Sequence, residues 1–263
     1  MRLADSGVAV WQSDLLSGLP HGFLGRIGGV STGLYAGLNV GLGSDDDRDA
    51  IAENRRRVVE AVMPGASLVT VHQVHSPDVV SVCAPLADDT ARPPADALVT
   101  ATPGLLLGVL TADCVPVLFA DQEAGVVGAA HAGWKGALSG VTDRTIAAMK
   151  ALGADVGRIA CAIGPCIARA SYEVDTGFVE RFTAADPANE RFFTDGRAGH
   201  AQFDIEAYVA ARLASAGVGK VELLGQDTYA QPQQFYSYRR SCHKGEPGYG
   251  RQISAIGVGT GMF

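Results

Sequence analysis

Between residues 67 and 131 the chain repeats one pattern: a short run of β-branched and aliphatic residues, then glycine, proline or aspartate. The runs are SLVTVHQVH at 67–75, DVVSVC at 78–83, DALVT at 96–100, LLLGVL at 105–110, VPVLFA at 115–120 and GVVGAAH at 125–131. Each is long enough for a strand and short for a helix, and the residues between them favour turns. The most apolar window, PGLLLGVLTADCVPVLFA at 103–120, contains Asp113 and two prolines, which is wrong for a bilayer-spanning helix. It reads as core strands.

Around this block lie helical patterns. IAENRRRVVEAVM at 51–63 places Ile51, Val58, Val59 and Val62 near helical spacing, and SDDDRD at 44–49 supplies carboxylates to its positive end. Further helices are expected at 135–151, 174–182 and 203–215, with strands at 158–164 and 220–224. Strands and helices mix without strict alternation, which predicts an α+β fold with mixed sheets covered by helices. No linker, repeat or low-complexity segment divides the chain, so residues 1–263 read as a single domain.

The net charge of −7 disfavours duplex nucleic acid as a partner, because that binding needs clustered cations against phosphates. A small anion held by a few arginines fits better. The N-terminal MRLADSGVAVWQSDLL has Asp5 and Asp14 where a secretory signal needs unbroken apolar residues. Five cysteines without a CxxC pair suit a reducing cytoplasm rather than a disulfide scaffold.

Three β-rich runs end in residues able to ligate a metal: His75, Cys114 and His131. Two imidazoles and a thiolate suit zinc, and three protein ligands leave a fourth position open, as in catalytic sites. The plainer alternative is that Cys114 packs as a small hydrophobe beside Val115 and Leu118, and that each histidine is a hydrogen-bonded strand end. That reading is preferred for Cys83, Cys161, Cys166 and Cys242. On a continuous strand His72 and His75 would face opposite ways, so both should not hold one ion.

A set of motifs then accumulates in order: GRIGGVS at 25–31, LYAGLNVG at 34–41, ENR at 53–55, QVH at 73–75 and ADALVT at 95–100. TADCVPVLF at 111–119, HAGWKG at 131–136, IGPCI at 163–167, YEV at 172–174 and FYSYRR at 235–240 follow. Together they resemble the YfiH or laccase-domain family, once labelled multicopper polyphenol oxidase, over about residues 20–256. The resemblance implies a single α+β domain, with strands sandwiched by helices and zinc on His75, Cys114 and His131. It also implies phosphorolysis of adenosine, inosine, guanosine and methylthioadenosine, with deamination of adenosine. Bacterial members are linked to editing of peptidoglycan precursors as well.

The residues themselves judge the older oxidase label. A multicopper oxidase needs about ten histidines, commonly in HxH pairs. This chain has six histidines and no HxH, leaving at most a copper in the His/Cys site. Deamination needs a carboxylic acid or other group near the metal to handle protons, and Asp113 is the obvious carboxylate, although on a strand it should face away from Cys114. Phosphorolysis needs cations for phosphate: Arg26 first, then Arg239 and Arg240, then Lys135, where the family often carries arginine. Tyr236 and Tyr238 could stack a base, or alternate along a strand into the core. Two other classes stay open: a hydrolase with Cys114 as nucleophile and His131 as base, and a non-enzymatic binding protein. The segment after FYSYRR, SCHKGEPGYGRQISAIG, departs from the family's acidic, glycine-rich turn while keeping Gly250 and Arg251.

Overall fold

The computed structural model describes residues 1–86 and 92–259. Its strands are β1 (Arg2–Leu3), β2 (Ala9–Trp11), β3 (His21–Leu24), β4 (Ser67–Thr70), β5 (Val79–Ser81), β6 (Ala97–Thr100), β7 (Leu105–Thr111) and β8 (Val115–Asp121). They continue with β9 (Val126–Ala132), β10 (Ala160–Ile163), β11 (Glu173–Asp175), β12 (Phe193–Asp195), β13 (His200–Phe203), β14 (Lys220–Leu223) and β15 (Gln252–Gly257). The α-helices are α1 (Arg48–Val62), α2 (Trp134–Leu138), α3 (Val141–Ala151), α4 (Thr176–Ala185), α5 (Ile205–Ser215) and α6 (Tyr238–Lys244).

One sheet has the order β1-β2-β3-β15-β7-β4 and the other β14-β10-β8-β9-β6-β5. Both are mixed: β4 runs parallel to β7, β5 to β6 and β10 to β14, while the remaining pairs are antiparallel. The two sheets pack face to face. On β7, Leu105, Leu107 and Val109 point between the sheets, while Leu106 and Leu110 face the layer that Val58 and Val62 of α1 complete. On β8, Leu118 and Ala120 point between the sheets, and Val115, Val117 and Phe119 face α3 and α5. Strands covered on both faces need apolar residues at every position rather than at alternate ones. The unbroken apolar runs therefore mark the centre of the molecule, and the α+β architecture with sheets sandwiched by helices is as expected.

Several boundaries differ from the sequence reading, each for a local reason. The helix expected at 135–151 is divided, because Gly140 takes φ 89 between α2 and α3. The strand expected at 67–75 ends at Thr70, so His72 and His75 lie in a loop and strand alternation does not relate them. Helix α4 begins later than 174 because Glu173–Asp175 pairs with β13, and the Asp175 carboxylate caps the helix on the Phe178 amide. Tyr238 opens helix α6, capped by Ser237, and lies on no strand.

The small β11-β13-β12 sheet and α4 join, through an aromatic cluster, the core layer that β8 and β9 share with α3 and α5. Phe182 is fully buried there, with its ring centroid 4.8 Å from that of Phe203 and 5.0 Å from that of Tyr208. Phe182→Ala should destabilise the protein by about 3–5 kcal/mol, the usual range for an aromatic deleted from a close-packed core. Equilibrium denaturation reads this directly, and a loss below about 1 kcal/mol would mean the cluster relaxes around the cavity.

Candidate metal centre and cleft

His75, Cys114 and His131 come from separate segments and meet at one end of the sandwich. Their ligand-capable atoms all lie within 4.8 Å of one another, and Cys114 Sγ is 4.0 Å from His75 Nε2. Tetrahedral zinc with one sulfur and two nitrogens places ligand atoms about 3.5 Å apart, so a contraction of at most about 1.3 Å completes the first three positions. The donor set and its spacing fit a metal ion.

Each of the three side chains is held by its own local structure. His131 sits in β9 and is buried, with Nδ1 2.8 Å from Asp96 Oδ1. Nδ1 therefore carries the proton toward the carboxylate, and Nε2 is the free face toward the site. His75 has φ 61, a left-handed conformation rare outside glycine. The other oxygen of Asp96 accepts from the amides on both sides of it, Val74 N at 3.1 Å and Ser76 N at 2.6 Å. One buried carboxylate thus fixes both histidines. Burial works to raise the pKa of Asp96, but His131 and the two amides outweigh it and hold the carboxyl below its usual range.

Cys114 lies in the turn from β7 to β8, beside Asp113, which has φ 90. The Asp113 side chain turns away from the metal triad. Its carboxylate accepts from Thr228 Oγ1 at 2.7 Å, Ser237 Oγ at 2.9 Å and the Arg239 amide at 2.6 Å. Burial pushes its pKa up against these donors. All of these contacts join the turn to the C-terminal segment, so Asp113 acts as an anchor for the Cys114 turn. Around Cys114, burial opposes ionisation, yet His131 and His75 bring the thiol down to about 6. Burial likewise opposes the His131 charge, while Cys114 and Asp96 raise it to about 9.

Two adjoining cavities, of about 590 Å³ and about 530 Å³, reach the triad; His75 and Cys114 line both, and His131 lines the smaller. His75, Ala112, Cys114 and Tyr238 line both and form the wall between them. The larger is aromatic, with Trp134, Tyr172 and Phe178, and Arg239 on its edge. Arg239 Nη1 donates to the Glu173 carbonyl at 2.7 Å, and its guanidinium carbon lies 5.1 Å from the Tyr172 ring centre.

Arg239 is the one proposed phosphate ligand that lines either cavity. Arg26 donates to the carbonyls of Ala36 and Pro232 and stacks on Tyr236 at 4.8 Å. Arg240 donates to the carbonyls of Thr228, Tyr229 and Phe235. Lys135 is exposed, with Nζ 5.5 Å from the Trp134 ring. Tyr236 is 3% exposed and donates to the Tyr35 carbonyl at 2.9 Å, so it cannot stack on a ligand in either cavity. Arg26, Arg240 and Tyr236 brace the loops behind the cleft.

Sequence reasoning missed Asp96 and Gly133. Asp96 opens DALVT as a lone carboxylate ahead of a buried strand, which was its one visible signal. Gly133 follows His131 by two residues, and a Cβ there would lie 2.7 Å from His75 Cδ2 and 3.1 Å from Cys114 Sγ.

Residues 20–259 match the family model described as multi-copper polyphenol oxidoreductase laccase. The chain belongs to this family. It is 42% identical over 241 residues to a purine nucleoside phosphorylase of Deinococcus radiodurans, covering 91% of this chain and 89% of that protein. The crystal structure of Neisseria meningitidis protein NMB0706 superimposes with a TM-score of 0.85 at 31% identity, covering 96% of this chain and 99% of that one. That of YlmD from Geobacillus stearothermophilus does so with 0.86 at 28% identity, covering 98% of each. The α+β sandwich is therefore a fold of the family.

Gly133→Ala should leave the fold intact, since its φ of −65 suits alanine, and should displace His75 or Cys114. Affinity for an added divalent metal ion should fall about 10- to 100-fold, the scale of changes to the residues around metal ligands. Competition with a chromophoric chelator measures it, and unchanged affinity would show that the triad has room for the methyl group.

Proposed function

We propose that this chain is a cytoplasmic, zinc-dependent purine nucleoside phosphorylase acting on adenosine, inosine, guanosine and methylthioadenosine, with adenosine deamination as a second activity. The observation that carries the reading is the placement of a metal-capable triad beside an aromatic cavity of nucleoside size, with His75 and Cys114 on its wall. The names of relatives about 40% identical support it. Its small-molecule partners are a nucleoside and phosphate. Among the described residues no helix is long and apolar enough to cross a membrane.

His75, Cys114 and His131 would hold the zinc, which when bound supplies Lewis acidity at the open fourth position. Copper would find the same three donors. The chain's own residues supply the rest. Tyr172, Phe178 and Trp134 offer aromatic surface to a purine and exclude water from one side of the cavity. Arg239, held over Tyr172 by the Glu173 carbonyl, places a fixed positive charge at the edge of that surface. Asp113 keeps the turn carrying Cys114 in register with that arginine, because its carboxylate accepts from the Arg239 amide. In phosphorolysis a phosphate oxygen bonds to C1′ as the C1′–N9 bond breaks. The electron pair leaves on the base, which takes the proton that hydrogen phosphate gives up.

One observation favours a second reading. The thiol of Cys114, brought down to about 6 beside His131, resembles the paired nucleophile and base of a cysteine hydrolase. Such chemistry would suit amide cleavage in a peptidoglycan precursor. The two readings diverge on metal dependence.

Cys114→Ala should lose bound zinc and reduce release of adenine from adenosine and phosphate by at least about 10³-fold. Elemental analysis and chromatography of the products follow both. Full turnover by the zinc-free variant would remove the zinc reading, and wild-type activity that survives chelator but not iodoacetamide would favour the cysteine hydrolase.

A further inference from the structure

The second cavity differs from the aromatic one in its charge. Arg251, His72 and Arg92 line it, and no aspartate or glutamate is among its described lining residues, in a chain of net charge −7. The aromatic cavity, by contrast, has Asp113, Glu173 and Asp175 on its walls. Arg251 is half-buried and held at both ends. Its amide donates to Asn39 Oδ1 at 2.9 Å and its carbonyl accepts from Val40 N at 3.1 Å. Its guanidinium carbon lies 4.7 Å from the centre of the Tyr249 ring, and Nη2 donates to the Tyr249 hydroxyl at 3.3 Å. Gly41 makes room for it, since a Cβ there would lie 3.2 Å from Arg251 Nη1. Thr111 lines the same cavity, and its buried hydroxyl has no hydrogen-bond partner among the described residues.

We propose that this cavity is an anion subsite that takes inorganic phosphate, with Arg251 as its principal ligand and His72 beside it. A planar guanidinium immobilised before binding grips two phosphate oxygens at little entropic cost. The subsite shares the wall of His75, Ala112, Cys114 and Tyr238 with the aromatic cavity. An anion there and a nucleoside on the aromatic side would therefore lie next to one another at His75 and Cys114, as phosphorolysis at C1′ requires. This consequence rests on the phosphorylase reading, whereas the anion subsite rests on the cavity itself. It places phosphate on a residue outside the set of Arg26, Lys135, Arg239 and Arg240 that the sequence suggested.

The test is isothermal titration of inorganic phosphate into the zinc-loaded protein and into Arg251→Gln, His72→Gln and Arg239→Gln, with thermal melts to confirm folding. Arg251→Gln should weaken phosphate about tenfold or more, the scale of a lost charged hydrogen bond. His72→Gln, at an exposed position, should fold normally and weaken it less. Loss confined to Arg239→Gln, or no binding to the wild type up to about 10 mM phosphate, overturns the subsite. Arg251-dependent binding in a protein that releases no base from adenosine keeps the subsite and removes the phosphorylase reading. Phosphorolysis whose KM for phosphate is unchanged in Arg251→Gln does the reverse.

Discussion

The hydrogen bonds of Asp96 decide whether the triad exists. One oxygen fixes the ring of His131, and the other holds the amides that flank His75. A left-handed residue other than glycine costs about 1–3 kcal/mol, and each hydrogen bond to a charged group contributes about 1.5–3 kcal/mol. The two amide bonds together are therefore large enough to hold His75 in a conformation it would otherwise leave. Because Asp96 is itself fully buried, its charge has no solvent alternative and stays committed to these three donors.

Asp113 plays the corresponding part for Cys114. It also has a positive φ, and its carboxylate draws in Thr228, Ser237 and the start of α6. Through α6 the same anchor positions Tyr238, which lies on the wall shared by both cavities. Two buried carboxylates behind the ligands thus organise loops from three distant parts of the chain. The sheets contribute rigidity: β7, β8 and β9 are buried along their whole length, so the turns at their ends have fixed bases.

Much of this architecture is legible in the amino-acid sequence. The central strands announce themselves because burial on both faces demands apolar residues throughout, and the helix at α1 follows from its periodicity and its acidic start. The ordered motifs mark the family and bring His75, Cys114 and His131 together as candidates. The edges of the first sheet escape such a reading, since β1 and β2 have two and three residues, too few for periodicity to show. Strand β15 escapes it because its pairing with β3 and β7 spans most of the chain and leaves no local signal. The arginines mislead for a different reason. Arg26, Arg239 and Arg240 look alike in sequence and all three donate to backbone carbonyls, but only Arg239 also lines a cavity beside the triad. Asp96 gives little sign of its role because a carboxylate between turn and strand is common, and only the fold places it beside His131.

Zinc K-edge absorption on the protein as purified tests the central claim most directly, because it reads the ligands rather than the activity. The account predicts one zinc per chain with one sulfur near 2.3 Å, two imidazole nitrogens near 2.0–2.1 Å and one further light atom. A zinc shell without sulfur, or a protein that takes up no zinc while correctly folded, would contradict it.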